Sequence, residues 1–287
     1  MYQSTFTTIN RVIRQLEKAD SGTLPTESAS AYAEFFTYVK ASAVEVSDWF
    51  THRVHQTFVP YYEAKVLYLN DLYRNRMLYG SLLTLPETLL EVDSITWVNT
   101  AVTSTYYRLL NGYQSQRTPY TKILFDPTGV SYGNGDFSDA ITITGWWGHH
   151  SSYAQAYTNI ETVTVANNTV TTITVADAAL YDTYDYIRIE DELIWITSRN
   201  ESTEVLTVER GVNGTTAAAH AAQTIRRYNV QPAVQHALTR FVAWAYDNRS
   251  NFGTLQFTDG SAVVQSMPVY VQETIDAFMT ADMERSI

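Results

Sequence analysis

The sequence predicts an α+β fold: a helical body with a small antiparallel sheet, interrupted by an inserted all-β barrel or sandwich module. Three observations carry this. Tyr32, Phe36, Val39, Ala43, Val46 and Phe50 recur at helical spacing and mark one buried stripe. Ile141 and Ile143 alternate with Thr142 and Thr144, as in a strand with one buried face, and lead into Gly145-Trp146-Trp147-Gly148. After this strand the texture changes: residues 159–228 are Thr/Val-rich and turn-punctuated, and helical spacing resumes only at Val230. The body is therefore expected at 26–158 and 229–287, the β module at 159–228, and an N-terminal arm at 1–25.

In chain order, Ile9 to Ala19 reads as a short helix, followed by the linker Asp20-Ser-Gly-Thr-Leu-Pro25. So short a segment buries little alone and is expected to dock on a neighbour. Thr26 is the expected N-cap of the next helix, with Glu27 in the first turn, where the helix dipole favours an acid. The stripe from Tyr32 to Phe50 needs tertiary packing to hold it. Pro60 ends it, and Tyr61 to Leu69 reads as an aromatic-rich strand with Glu63 and Lys65 on one side. Pro86 is expected to open the next unit, with Leu90, Val92 and Val98 on one parity and Ile95 and Trp97 on the other, a strand covered on both faces. Tyr106 to Leu110 before Asn111-Gly112 predicts a hairpin with a type I′ turn. Tyr120 to Phe125 and Ile141 to Trp147 flank an exposed polar loop.

Within the module, short strands are expected at Thr162 to Val165, Thr171 to Val175, Tyr186 to Ile189, Leu193 to Thr197 and Val205 to Glu209. Arg210 to Thr215 reads as a turn, and Ala217 to Ala222 as an apolar loop or single helical turn. Pro232 suits a first helical turn, and Val234, Leu238, Phe241 and Ala245 form its stripe. A last helix opens at Ser266 and Pro268 and buries Ile275 with Phe278 or Met279. The expected core of the body is Trp146, Trp147, Phe50 and Phe241.

Nineteen basic against 30 acidic residues give a net charge of −11, which disfavours wrapping nucleic acid through phosphate contacts. The absence of cysteine excludes disulfides, thiolate metal sites and cysteine nucleophiles. The N-terminus lacks a signal-peptide pattern and no apolar run approaches a bilayer span, so a soluble, unexported chain with no membrane association is expected. The 21 tyrosines, with arginine as the main basic residue, match the chemistry of interface cores.

Catalytic chemistry finds little support. Gly133-Asn-Gly135-Asp-Phe-Ser138 lacks the third glycine, leading strand and following helix of a dinucleotide fingerprint. His149 and His150 are adjacent and point to opposite faces of a strand; His52 and His55 stand three apart on a helix with no third ligand marked. Glu190-Asp191-Glu192 reads as a charged hairpin turn, and Asp182 and Asp185 lack a calcium-loop pattern around them. No catalytic, cofactor-binding or metal-ligating residue is assigned, and no enzyme activity is expected.

The order Thr51-His-Arg-Val-His-Gln-Thr-Phe-Val-Pro60, Leu85-Pro86-Glu-Thr-Leu-Leu-Glu-Val-Asp-Ser-Ile95, Tyr106-Tyr-Arg-Leu109, Ile141-Thr-Ile-Thr-Gly-Trp-Trp-Gly148 and Gln231-Pro-Ala-Val-Gln-His-Ala-Leu238 resembles tailed-bacteriophage head–tail connector proteins, the head-completion or portal-adaptor class. The match runs roughly from Thr26 to Met279 with one interruption. Tyr186-Ile-Arg-Ile-Glu-Asp-Glu-Leu-Ile-Trp195 and Arg210-Gly-Val-Asn-Gly-Thr-Thr-Ala-Ala-Ala-His220 resemble a β module recurrent in phage structural proteins, which the minimal connector lacks. The resemblance implies a homo-oligomeric ring of ~12 copies at the virion neck, assembled in the host cytoplasm. Its partners would be the portal protein, a tail or neck protein below, and double-stranded DNA passing through the lumen without specific binding. Portal docking would fall to the C-terminal segment, through Pro268, Val269, Tyr270, Ile275, Phe278, Met279, Arg285 and Ile287. A carbohydrate- or receptor-binding virion protein is the alternative, suggested by the tyrosines and the β module.

Overall fold

A computed structural model describes residues 5–18, 24, 30–111, 118–130, 139–247, 256–258, 261–263 and 269–283. Four helices of the described residues pack on one another: α1 (Ile9–Lys18), α2 (Ser30–Val54), α4 (Pro232–Asp247) and α5 (Val269–Met283), with a short α3 (Leu69–Arg74) between strands. The first antiparallel sheet is built from β1 (Tyr61–Tyr68), β2 (Leu78–Tyr79), β3 (Leu82–Trp97), β4 (Thr100–Ala101), β5 (Tyr107–Leu110), β6 (Tyr120–Phe125) and β7 (Ala140–Trp147). Its main order is β1-β7-β3-β6-β5, with β2 and β4 paired to β3. The second sheet holds β8 (Tyr157–Val165), β9 (Thr172–Thr174), β10 (Tyr186–Ile189), β11 (Glu192–Asn200), β12 (Val205–Glu209) and β13 (His220–Tyr228), in the order β8-β13-β10-β11-β12-β9. A small hairpin joins β14 (Gln256–Thr258) to β15 (Ser261–Val263). The fold is α+β. Among the described residues no helix is long and apolar enough to cross a membrane.

Trp146 and Trp147 follow each other on β7 and so face opposite sides of the sheet. Trp147 is fully buried with Leu89, Ile95, Trp97, Ile123 and Ile143 on one side. Trp146 lies on the other side, in a core shared with Phe50 and Val54 of α2, Val234 and Leu238 of α4, and Val271 and Ile275 of α5. Tyr186, Leu193 and Trp195 of the second sheet belong to that same core. Their strand neighbours Ile187, Ile194 and Ile196 face the opposite way, into an interior to which all six strands of the second sheet contribute. That sheet is curled around its own apolar filling. Phe241 is half-buried against the shared core, its ring 5.5 Å from Trp49.

Several local expectations change. The neighbour on which the N-terminal segment docks is the chain itself: Ile9, Val12 and Leu16 are fully buried against α2 and α4. The Phe6 N–H donates to Ser47 Oγ at 3.0 Å, and the Thr5 N–H to Tyr186 Oη at 3.1 Å. Thr26 and Glu27 lie outside the described residues. Pro86 does not open a unit; β3 runs straight through it. The pairing of β3 with β6 shifts register between Thr84 and Leu89, so the residue without an N–H sits where the ladder is already broken. Beyond Pro86 the two faces of β3 are both covered only from Thr88 to Leu90, because Glu91, Asp93 and Ser94 are exposed. The hairpin β5–β6 forms, but Leu110 pairs with Lys122, which makes the connection far longer than a two-residue type I′ turn.

All five strands expected in 159–228 are present, and β13 is a sixth, beginning at His220 where a loop or helical turn was expected. It is no edge: it pairs with both β8 and β10. Two register shifts, between His220 and Gln223 and between Ile225 and Arg226, break the alternation by which a strand is recognised in sequence.

Candidate binding cleft at the junction of the sheets

The two sheets are joined by the loop 210–220, and its architecture begins at one buried acid. Glu192, the first residue of β11, is only 2% exposed. The Arg210 guanidinium grips it in a two-pronged pair, Nε to Oε1 at 2.6 Å and Nη2 to Oε2 at 2.6 Å. The Gly211 N–H donates to Oε1 at 2.9 Å and the Ala218 N–H to Oε2 at 3.1 Å. His220 sets Nε2 2.7 Å from Glu192 Oε2 and Nδ1 2.7 Å from Glu190 Oε2, so its ring bridges the two carboxylates. Burial works against the charge of Glu192, but the hydrogen bonds from Arg210 and His220 outweigh it and hold the carboxyl below the usual glutamate range. A buried charge so completely partnered fixes the path of the chain from 210 to 220.

The tip of that loop docks on β1. The Tyr62 N–H donates to Asn213 O at 2.8 Å, and Asn213 Nδ2 donates to Pro60 O at 3.2 Å. Gly214 has φ +83°, and a Cβ there would stand 2.0 Å from Tyr62 O. Gly145 answers a similar demand on β7, where a Cβ would meet Glu91 O at 2.2 Å. Small residues at both points let the strands and the loop approach.

Beside this joint lies a cleft of about 480 Å³. Its walls are Tyr62 of β1, Glu91 and Asp93 of β3, Trp146 of β7, Arg188 of β10, the turn Glu190-Asp191, and loop residues from Gly214 to Ala218. Arg188 lies 4.2 Å above the Trp146 ring. It is held there by Glu190 O at 2.8 Å, Asp191 Oδ1 at 3.0 Å and Glu91 Oε2 at 3.3 Å. Tyr62 donates its hydroxyl to Asp93 Oδ2 at 2.8 Å; burial and then that carboxylate push the phenol up to about 12. The Arg188 guanidinium lies on the Trp146 ring, Tyr62 meets that ring edge-on at 5.5 Å, and water-accessible carboxylates rim the pair. The cleft can hold a cationic or hydrogen-bonding group.

The other residues singled out in the sequence fall elsewhere. His150 is a satisfied core histidine: the Ser152 N–H donates to Nδ1 at 3.1 Å, leaving Nε2 to donate to Asn229 O at 3.1 Å, and burial pulls its pKa down. His149 packs edge-on against Phe58. His52 and His55 do not share a helix face, because α2 stops at Val54 and His55 takes a left-handed conformation at φ 52°. Among the described residues no group of three or more His, Asp or Glu has metal-holding geometry. Asp182 anchors the N-terminal segment, accepting from Asn10 Nδ2 at 2.6 Å and Thr8 Oγ1 at 3.0 Å. Glu190 and Asp191 form the expected hairpin turn, whereas Glu192 turns inward. The glycine-rich stretch 133–138 lies outside the described residues.

Of the C-terminal residues, Val269 is 71% exposed at the start of α5, while Ile275 is fully buried in the shared core and cannot present itself to another protein. Pro268, Arg285 and Ile287 lie outside the described residues, as do the side chains of Tyr270, Phe278 and Met279. Sequence reasoning missed Arg188, Glu192, Arg210 and His220 as one constellation. The signal that could have found it was the pairing of Arg and His at the ends of the glycine-containing run Arg210–His220 with the acidic turn before β11.

Fold and cleft together define an α+β protein whose two antiparallel sheets are riveted by a glycine-containing loop around a buried Arg–Glu–His cluster. No family model, curated protein or solved structure matches the chain.

Proposed function

We propose that this chain is a structural virion protein, a head-to-tail connector or adaptor. In this reading ~12 copies form a ring below the portal, extend the DNA channel and offer a docking platform to the tail. It performs no catalytic step. The observation that carries the reading is the shared core: α2 and β7, which precede the second sheet, pack with α4 and α5, which follow it. One body completed from both sides of residues 159–228 supports treating that stretch as a module inserted into a connector. The net charge of −11 suits a lumen through which DNA slides, since like charge repels phosphate within a Debye length of ~8–10 Å.

The sugar-binding alternative is less well supported by the cleft, because the Trp146 ring carries the Arg188 guanidinium on its face. Portal contact is assigned to the C-terminal helix through its exposed start at Val269. Co-sedimentation with purified portal rings tests the proposal: the protein should pellet with them in near-equal subunit ratio, and a protein that stays in the supernatant across salt and concentration contradicts it.

A further inference from the structure

The cleft has an acidic character that its own residues leave unbalanced. Glu91, Asp93, Glu190 and Asp191 place four carboxylates beside the one Arg188 guanidinium, while Arg210 matches Glu192 and His220 bridges Glu190 and Glu192, so acids outnumber the basic groups around the cleft. The Glu91, Glu190 and Asp191 side chains are 51%, 50% and 91% exposed, so these charges face water rather than the core. At the far end of β1 stands a feature of the opposite kind. The turn from α3 into β2 exposes Arg74 and Arg76, with Asp71 as the nearby acid, and flanks them with Tyr73 at 48% and Tyr79 at 86% exposure. Among the described residues neither arginine makes an ion pair.

These two features cannot meet within one molecule. Tyr62 lines the cleft and Leu69 opens α3, so the intervening strand holds them roughly 23 Å apart at ~3.3 Å per residue. We propose that the Arg74–Tyr79 tip of one copy seats in the Tyr62–Glu91–Asp93–Asp191 cleft of the next copy. The inference deepens the ring reading and rests on it. Unlike surfaces at opposite ends of a rigid strand make a head-to-tail contact, which propagates from copy to copy and closes when the rotation allows. Arginine and tyrosine are the residue types that dominate interface energy, and a cleft of this volume accommodates such side chains.

The test is sedimentation velocity on the full chain, alone and with the portal protein, at low and high salt. Three variants are compared with the wild type: Arg74→Glu/Arg76→Glu, Asp93→Lys/Asp191→Lys, and all four changes combined. Each single-face reversal should weaken self-association at least tenfold, and the combined variant, with the charges exchanged, should recover it. Circular dichroism checks folding, and Tyr79→Asp, at a residue outside the core, should weaken association in the same direction if a reversal variant misfolds. Assembly by all variants as in the wild type overturns the pairing and leaves the ring reading standing. A wild type that never self-associates, with or without portal, overturns both.

Discussion

Tyr62 and Asn213 join the two sheets through a single backbone hydrogen bond, the Tyr62 N–H donating to Asn213 O at 2.8 Å. It lies between the second residue of β1 and a loop held in place by a buried glutamate on β11. The joint transmits the geometry of one sheet to the other and shapes the cleft beside it.

Gly214 is the residue that lets this joint close. Its φ of +83°, and the 2.0 Å that would separate an added methyl from Tyr62 O, make any side chain costly. Gly214→Ala should lower stability by about 2 kcal/mol or more in chemical denaturation. An unchanged midpoint would show that the loop does not dock on β1.

Glu192 carries the charge that organises the loop. Glu192→Gln removes the negative charge that Arg210 and His220 share and turns one acceptor oxygen into a donor, and should cost about 3–5 kcal/mol near neutral pH. The folded-state pKa of Glu192 is depressed, so its contribution is present above the unfolded glutamate value and is lost as pH falls through the folded one. Wild type should therefore lose stability in acid more steeply than the variant. Parallel pH profiles of the denaturation midpoint would contradict this.

Asp185 has the opposite sign. Burial raises its carboxyl to about 7, against the backbone hydrogen bond from Asp182. The folded state holds the proton more tightly than the unfolded state, so stability declines as pH rises from the ordinary aspartate value through about 7. Asp185→Asn should flatten that decline and gain about 2 kcal/mol at pH ~8. A variant with the wild-type slope between acid and neutral pH would refute the assignment.

In the C-terminal helix, two substitutions separate folding from the proposed portal contact. Ile275→Ala opens a cavity at a fully buried site and should cost about 2–5 kcal/mol. Val269→Asp, at a residue 71% exposed, should leave stability within about 0.5 kcal/mol and weaken portal binding. Deleting the whole segment would remove Val271 and Ile275 from the core, so a truncation cannot isolate the proposed portal contact. Retained portal binding by Val269→Asp would move the contact elsewhere.

Most of the fold is legible where one period dominates. The α2 stripe, the Ile141–Ile143 alternation and five strands of the second sheet follow from spacing alone. Legibility fails where long-range pairing overrides local pattern. Pro86 reads as a boundary but is carried inside β3 because β6 releases its ladder there. His220–Tyr228 offers few apolar residues and two bulges, yet becomes an interior strand. The cleft was hidden for the same reason: Glu91, Arg188 and His220 are brought together from three strands, and no single run of sequence contains all of its acids and bases together. A turn reading of Glu190-Asp191-Glu192 is correct for two of them and misses the inward rotation of the third.

Imaging of the protein bound to purified portal, with its copies counted in class averages viewed down the axis, decides whether it is a connector. An annulus of ~12 copies, coaxial with the portal and open at its centre, is the expected image. A single copy bound off the axis, a closed trimer, or portal rings with no added density would contradict the connector reading.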